Sequence, residues 1–285
     1  MDNTGLPTVR TVMALRTRLQ TWRTRGERVA LVPTMGALHE GHLSLIRLAK
    51  AQAERVVCSV FVNPMQFGPS EDFDAYPRQE EADARLLAGE RCDLIYAPTP
   101  EAMYPPGFVT SISVAGPAAG LDGEARPGHF DGVATVVAKL LLQCMPDVAV
   151  FGEKDFQQLQ VIRRLATDLD LPVQILSAPT ARAPDGLALS SRNAYLSEEE
   201  RPIAGRMNRV LKETAGALAR GADVAQVEAA GRAGLLQAGF ERVDYFEVRS
   251  AGDLRRLEGR VEDQARILAA AWLGRTRLID NWPVG

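Results

Sequence analysis

The chain has 285 residues, of which 46% are hydrophobic and 24% charged, with a formal net charge of −3. That length accommodates one large α/β domain and a smaller second one, and that composition belongs to a globular protein of aqueous compartments. The charge gives a nucleic-acid partner no overall electrostatic help, no apolar run is long enough for a membrane span, and the N-terminus lacks the apolar core of a signal peptide. Cys58, Cys92 and Cys144 are far apart and odd in number, so they build neither a metal spacing nor a disulfide framework. A reduced, cytoplasmic chain is the expectation.

In chain order, Val9, Val12, Leu15 and Leu19 predict a helix over 8–25, closed by Gly26. Arg16, Arg18, Arg23, Arg25 and Arg28 read as one solvated face. Val29 to Val32 reads as a buried parallel strand. After it comes Pro33-Thr34-Met35-Gly36-Ala37-Leu38-His39-Glu40-Gly41-His42-Leu43-Ser44-Leu45-Ile46, leading into a helix to about Glu54. Gly36 and Gly41 allow a close backbone approach to a ligand, and the helix start offers N–H groups and a positive dipole end to an anion. Three readings compete. One is an ordinary turn with incidental histidines. A second is a zinc site, but His-Glu-Gly-His is one residue short of His-Glu-x-x-His and no nearby Cys or Asp completes a ligand set. The third is a nucleotide site of the His-x-Gly-His kind, in which imidazoles donate hydrogen bonds to phosphate oxygens during attack on the α-phosphorus. Two of the chain's three histidines lie here beside glycines, which favours the third. By itself it implies only nucleotidyl transfer.

Residues 55–62 read as a second strand, so the unit is a right-handed βαβ crossover on a parallel sheet. At that strand's carboxyl end Asn63 and Gln66 suit a substrate's hydroxyls and carboxylate, or form a plain Asn-Pro turn. Residues 71–78 form a polar loop. On the predicted helix 79–89, Asp83 either helps hold Mg²⁺ or is a solvated acid. A strand over 94–97, a Pro-rich loop over 98–107 and an edge strand over 110–114 follow. Arg126 and His129 serve an anion or cap the buried helix 133–142. The strand 147–151 is closed by Gly152-Glu153-Lys154-Asp155, before a helix over 156–169. Asp155 and Gln158 fit a capping box, whereas Lys154 at a strand's carboxyl end suits a phosphate. After a strand at 173–176, the loop 181–193 presents Ser190, Ser191 and Arg192, a set able to grip a polyphosphate tail. Ser197 and Glu200 form a second capping box opening a helix over 198–220. A helix over 223–238 and strands over 243–248, 266–273 and 276–280 complete a small α+β tail.

Taken in order, these motifs resemble the pantothenate synthetase (pantoate–β-alanine ligase) family. The resemblance runs through Pro33–Ile46, Phe61–Phe67, Tyr104–Phe108, Arg126–Leu142, Phe151–Leu159, Asp185–Leu196 and Thr276–Asn281. It implies an α/β fold with a Rossmann-like nucleotidyltransferase domain on a parallel sheet over 1–180 and a smaller α+β C-terminal lid domain over 181–285. It also implies an AMP-forming ligase that joins D-pantoate to β-alanine through a pantoyl adenylate, with ATP as substrate, Mg²⁺, and a cytoplasmic homodimer without nucleic-acid or membrane partners. Carried over by position, Met35, Gly36, Ala37, Leu38, His39, Glu40, Gly41 and His42 line the ATP site, with His42 the acid partner. Gly152, Glu153, Lys154 and Asp155 hold ATP, as do Ala181, Leu189, Ser190, Ser191 and Arg192. Gln66 binds pantoate and helps receive β-alanine, and Gln158 binds pantoate. The chain departs from the family at Ala181 (usually Val), Ala183-Pro184 (Glu-Ala) and Leu189 (Met). The resemblance leaves two other classes to be tested: an adenylyltransferase of the phosphopantetheine kind, which releases a dinucleotide, and a non-catalytic nucleotide-binding module.

Overall fold

The computed structural model describes residues 5–69 and 71–284. The chain forms two compact units. The first comprises Met1–Val114, Arg126–Glu153 and Val161–Pro179, and the second Ala115–Ala125, Lys154–Gln160 and Thr180–Gly285. In chain order the elements are β1 (Thr8–Val9), α1 (Val12–Arg23), β2 (Val29–Thr34), α2 (Glu40–Gln52), β3 (Arg55–Val60), α3 (Glu80–Gly89), β4 (Leu94–Tyr96), α4 (Pro100–Met103), α5 (Asp122–Ala125), α6 (His129–Cys144), β5 (Val148–Gly152), α7 (Phe156–Asp168) and β6 (Gln174–Ala178). Then follow α8 (Glu200–Ala204), α9 (Arg206–Ala219), α10 (Val224–Ala238), β7 (Arg242–Ser250), β8 (Ala265–Leu273) and β9 (Thr276–Val284). Among the described residues no helix is long and apolar enough to cross a membrane.

In the first unit the six strands pair in parallel, in the order β1-β4-β3-β2-β5-β6. Val29 to Val32 are fully buried, as a central strand covered on both faces must be. Ile46 and Ala49 of α2 join Ala30, Val32, Val56, Ile95, Val148 and Val150 in one core cluster. The strand order reverses at β2, the place where open α/β sheets bind ligands. Pairing of β2 with β5 covers only Ala30–Val148 and Leu31–Ala149. The ladder between these two strands does not extend to their carboxyl ends.

The expected arginine face of α1 is in part a helix clamp. Arg16 donates to Leu142 O (3.3 Å), and Arg23 to Cys144 O (2.7 Å) and Met145 O (2.6 Å). These are orphan carbonyls at the carboxyl end of α6. Three boundaries differ from expectation. Thr8 and Val9 form an edge strand on β4, and the helix starts only at Val12, with Thr11 Oγ1 accepting from Ala14 N (3.2 Å). Residues 110–114 are not a strand: Ile112 N donates to the Thr135 hydroxyl (3.0 Å), so the alternation there reflects packing without a ladder. The helix expected over 198–220 is two pieces broken at Gly205, where a Cβ would stand 2.5 Å from Asp185 Oδ2. Its Ser197–Glu200 capping box is present, with Ser197 N to Glu200 Oε2 at 2.8 Å and Glu200 N to Ser197 Oγ at 3.1 Å.

In the second unit β7, β8 and β9 form an antiparallel sheet. Leu211 of α9 and Leu235 of α10 share a core with Phe246, Val248, Ile267, Ala269 and Ala271. Residues 115–125 join this unit through Asp122. Its carboxylate accepts from Arg277 (2.6 Å) and the Tyr245 hydroxyl (3.1 Å), and its N–H donates to Gln157 Oε1 (3.0 Å).

Candidate active site

The signature stretch spans the carboxyl end of β2 and the start of α2. The two histidines cap that helix reciprocally. His39 Nδ1 accepts from Gly41 N (3.1 Å), and His42 Nδ1 accepts from His39 N (3.3 Å). An Nδ1 that accepts carries no proton, so each neutral ring holds its proton on Nε2. The rings lie 4.2 Å apart, centroid to centroid. The cap thus fixes the tautomer: two imidazole N–H donors stand at the positive end of a helix. Glu40 pairs with Arg47, on the exposed side of α2.

Asp83 shapes the turn before that helix. It is 2% exposed, and its carboxylate accepts from Ala37 N (3.0 Å) and Leu38 N (2.8 Å). Ala37 has φ of 50°, a left-handed conformation held by this clasp. Gly36, at φ 81°, sits so close that a Cβ would stand 2.9 Å from Asp83 Oδ2. Burial raises the Asp83 carboxyl above the ordinary carboxylate range, and the Leu38 and Ala37 N–H bonds offset only part of that. The solvated-acid reading of Asp83 does not hold, because its carboxylate is buried and accepts from two backbone N–H groups. Among the described residues no three His, Cys, Asp or Glu side chains gather to hold a metal ion. Asp83→Asn sets an amide NH₂ against a backbone N–H. We expect a loss of about 1–3 kcal/mol in urea unfolding, a higher KM for ATP, and an unchanged Mg²⁺ concentration for half-maximal rate.

At the carboxyl end of β3, Asn63 orders Gln66. Asn63 Nδ2 donates to Gln66 Oε1 and to Gly132 O, both at 3.1 Å, and Asn63 Oδ1 accepts from the Tyr104 hydroxyl (2.7 Å). Gln66 Nε2 reaches Met35 Sδ at 2.9 Å, tying the pantoate candidate to the signature loop. Gly132 is needed there: a Cβ would stand 2.1 Å from Met65 O. His129 turns both ring nitrogens toward protein groups. Its Nδ1 is 2.8 Å from Gln66 O, and its Nε2 is 2.9 Å from Arg126 NH1. With Arg126 a pure donor, His129 holds its proton on Nδ1 and donates to Gln66 O. Arg126 also forks onto Glu71 (2.7 and 2.6 Å). Burial alone would raise the Glu71 carboxyl, but the Arg126 guanidinium outweighs it and holds the group below its usual range.

The remaining candidates, apart from Gly152 and Glu153, belong to the second unit. Gly152 ends β5, and a 3₁₀ turn over Glu153–Asp155 stands where a capping box was expected to open α7. Glu153 accepts from the Ser177 hydroxyl (3.1 Å). Lys154 Nζ lies 3.6 Å from Asp155 Oδ1. On α7, Gln157 is taken up by Pro117 O, Gly120 O and Asp122 N, and Gln160 by Ala251 O. Among the described residues no side-chain partner takes up the half-buried Gln158. The loop 181–189 is braced by its own backbone: Leu189 N donates to Ala181 O and Ala183 N to Leu187 O, each at 2.9 Å. Gly186 N donates to Ala183 O (2.8 Å), so Pro184 occupies the second position of a β-turn, which its fixed φ suits. The departures at 181, 183, 184 and 189 thus fall where main chain sets the shape. Ser190 Oγ accepts from Arg192 N (3.3 Å) and caps a 3₁₀ turn over Ser191–Tyr195.

A parallel sheet whose switch point carries a histidine-capped helix start fits a nucleotide-binding α/β enzyme. A family profile described as Pantoate-beta-alanine ligase matches residues 7–283. A pantothenate synthetase of Caulobacter vibrioides is 60% identical over 279 residues, covering 97% of this chain and 98% of that one. One of Paramagnetospirillum magneticum is 57% identical over 279 residues, covering 98% of each. The crystal structure of a pantothenate synthetase from Thermus thermophilus matches with a TM-score of 0.91 at 46% identity, covering 97% of this chain and 99% of that one. A pantoate-beta-alanine ligase from Francisella tularensis, complexed with beta-gamma ATP and beta-alanine, matches with a TM-score of 0.82 at 32% identity, covering 98% and 97%. The chain belongs to the pantoate–β-alanine ligase family. It is a ligase that condenses pantoate with β-alanine.

Proposed function

We propose that the chain makes pantothenate from D-pantoate and β-alanine in two steps that together consume one ATP. A pantoate carboxylate oxygen attacks the α-phosphorus, the α–β bridging bond breaks, and pyrophosphate leaves. The β-alanine amine then attacks the acyl carbon of the pantoyl adenylate, AMP leaves, and the amine's proton passes to solvent. The observation that supports this reading is the pair of Nδ1-accepting histidines at a helix start, because neutral rings so held carry their protons on Nε2, the kind of donor that developing phosphate charge needs.

His42, the acid partner of the resemblance, acts toward the leaving pyrophosphate as a hydrogen-bond donor through Nε2–H, and His39 stands beside it. Met35 to Gly41 line the nucleotide. Gly152, Glu153, Lys154 and Asp155 hold ATP, with the Lys154 ammonium as a point charge on its phosphates. Ala181 lies on the adenine side, and Leu189, Ser190, Ser191 and Arg192 on the phosphate tail. Gln66 binds pantoate and helps receive β-alanine. Gln158 binds pantoate, a role supported by its carboxamide's lack of a side-chain partner among the described residues. Mg²⁺ arrives with ATP as part of the substrate, where it neutralises phosphate charge. A lid role for 181–285, a homodimer and a cytoplasmic setting complete the proposal.

Product analysis tests it. AMP and pantothenate appear in equal amounts only when ATP, D-pantoate and β-alanine are all present. A dinucleotide product, or ATP binding without turnover, contradicts it.

A further inference from the structure

Thr276–Asn281 belongs to the resemblance, yet no role attaches to it there. Within the second unit its last two residues are buried on β9, Asp280 at 4% exposure and Asn281 at 2%. The Asn281 carboxamide bridges two groups of opposite character. Its Nδ2 donates to the Lys154 main-chain carbonyl (2.8 Å), and its Oδ1 accepts from Arg266 Nε (2.7 Å). A carbonyl only accepts and a guanidinium only donates, so the amide has a single satisfying orientation. Arg266 is held in turn, with its guanidinium 4.2 Å from the ring centroid of Phe156, the first residue of α7. Asn281 N donates to Asp280 Oδ1 (2.7 Å), and Asp280 pairs bidentately with Arg182 (2.7 and 2.8 Å). Arg182 also donates to Gly186 O (3.0 Å) and Asn281 O (3.2 Å), anchoring the loop that leads to Ser190 and Arg192.

We propose that Asn281 is a positioning residue for Lys154: by gripping the Lys154 carbonyl it fixes the 3₁₀ turn from which the ammonium reaches the phosphates. The inference rests on the phosphate role proposed for Lys154. The physical case is that a four-carbon stem delivers its charge only as accurately as its backbone is held. The turn Glu153–Asp155 has one residue on each side of Lys154, and the Asn281 bond falls on the central one. A buried carboxamide with both ends satisfied is a rigid strut.

Asn281→Asp is nearly isosteric. It keeps an acceptor for Arg266 but turns an oxygen on the Lys154 carbonyl. The test is a double-mutant cycle on the full enzyme with Lys154→Ala, reading kcat, KM for ATP, KM for β-alanine and melting temperature. Asn281→Ala, which removes both bonds without adding charge, runs alongside in case the aspartate variant folds poorly. In the otherwise native enzyme we expect kcat to fall about tenfold or more with KM for β-alanine held. In the Lys154→Ala background the same change has little further effect, because its route to the chemistry is gone. A silent Asn281 variant, or one whose full effect persists without the Lys154 side chain, overturns the proposal while the phosphate role of Lys154 stands. Near-normal turnover in Lys154→Ala alone refutes that phosphate role, and the positioning proposal with it.

Discussion

Replacing His42 with alanine lowers turnover by about 10²–10⁴-fold while the protein stays folded. The size follows from what the ring does at the moment of reaction. A carboxylate approaching a triphosphate meets like charge, and the barrier falls only if donors are already aimed at the oxygens that gain charge. In the proposed mechanism His42 is such a donor: its Nδ1 is occupied by His39 N–H, which leaves the proton on Nε2. Alanine removes the donor and one helix cap together, and the cap is worth about 0.5–2 kcal/mol. His42→Asn separates the two. Its Oδ1 reaches the place of Nδ1 and accepts from His39 N–H, so thermal stability returns toward that of the parent while turnover does not. Melting curves with single-turnover adenylation on both variants decide this. A near-normal rate in either removes His42 from the chemistry.

Lys154→Ala is expected to lower the rate of adenylation about 10²–10³-fold with only a small change in melting temperature. The stability half follows from its surroundings. The ammonium's ion pair with Asp155 is long, 3.6 Å, and the Asp155 side chain is 46% exposed. Such a pair contributes less than about 1 kcal/mol. The rate half follows from charge: the first step carries the triphosphate and the second does not. Rapid-quench measurement therefore shows a large loss in adenylate formation and a small one when adenylate is trapped with β-alanine. Equal losses in both steps contradict the phosphate role.

The candidate site was legible where its parts are local. Strand, glycine turn and helix start follow one another in the signature stretch, so sequence spacing is enough to bring His39 and His42 to an anion-binding terminus. The lysine at the end of β5 stood out because no local structural rule calls for a cation there. Roles made by distant contacts were not legible. Asp83 meets Ala37 and Leu38 from 46 and 45 residues away, and in sequence it is one acid among several on a helix. His129 serves Gln66 from 63 residues away. The fold shows the same division. Periodicity found the central strands, whose buried runs are unmistakable, and failed at 110–114, where alternation arises without a partner strand. The need for glycine at the 205 break comes from Asp185, twenty residues upstream, which no helical pattern records.

The most direct test of the two-step ligase is the time course of pyrophosphate release from ATP. With D-pantoate alone, we expect a burst no larger than the amount of enzyme, followed by near silence as pantoyl adenylate fills the site. Adding β-alanine then starts steady turnover. Pyrophosphate release that ignores pantoate, or no release until β-alanine is present, would contradict the adenylate pathway.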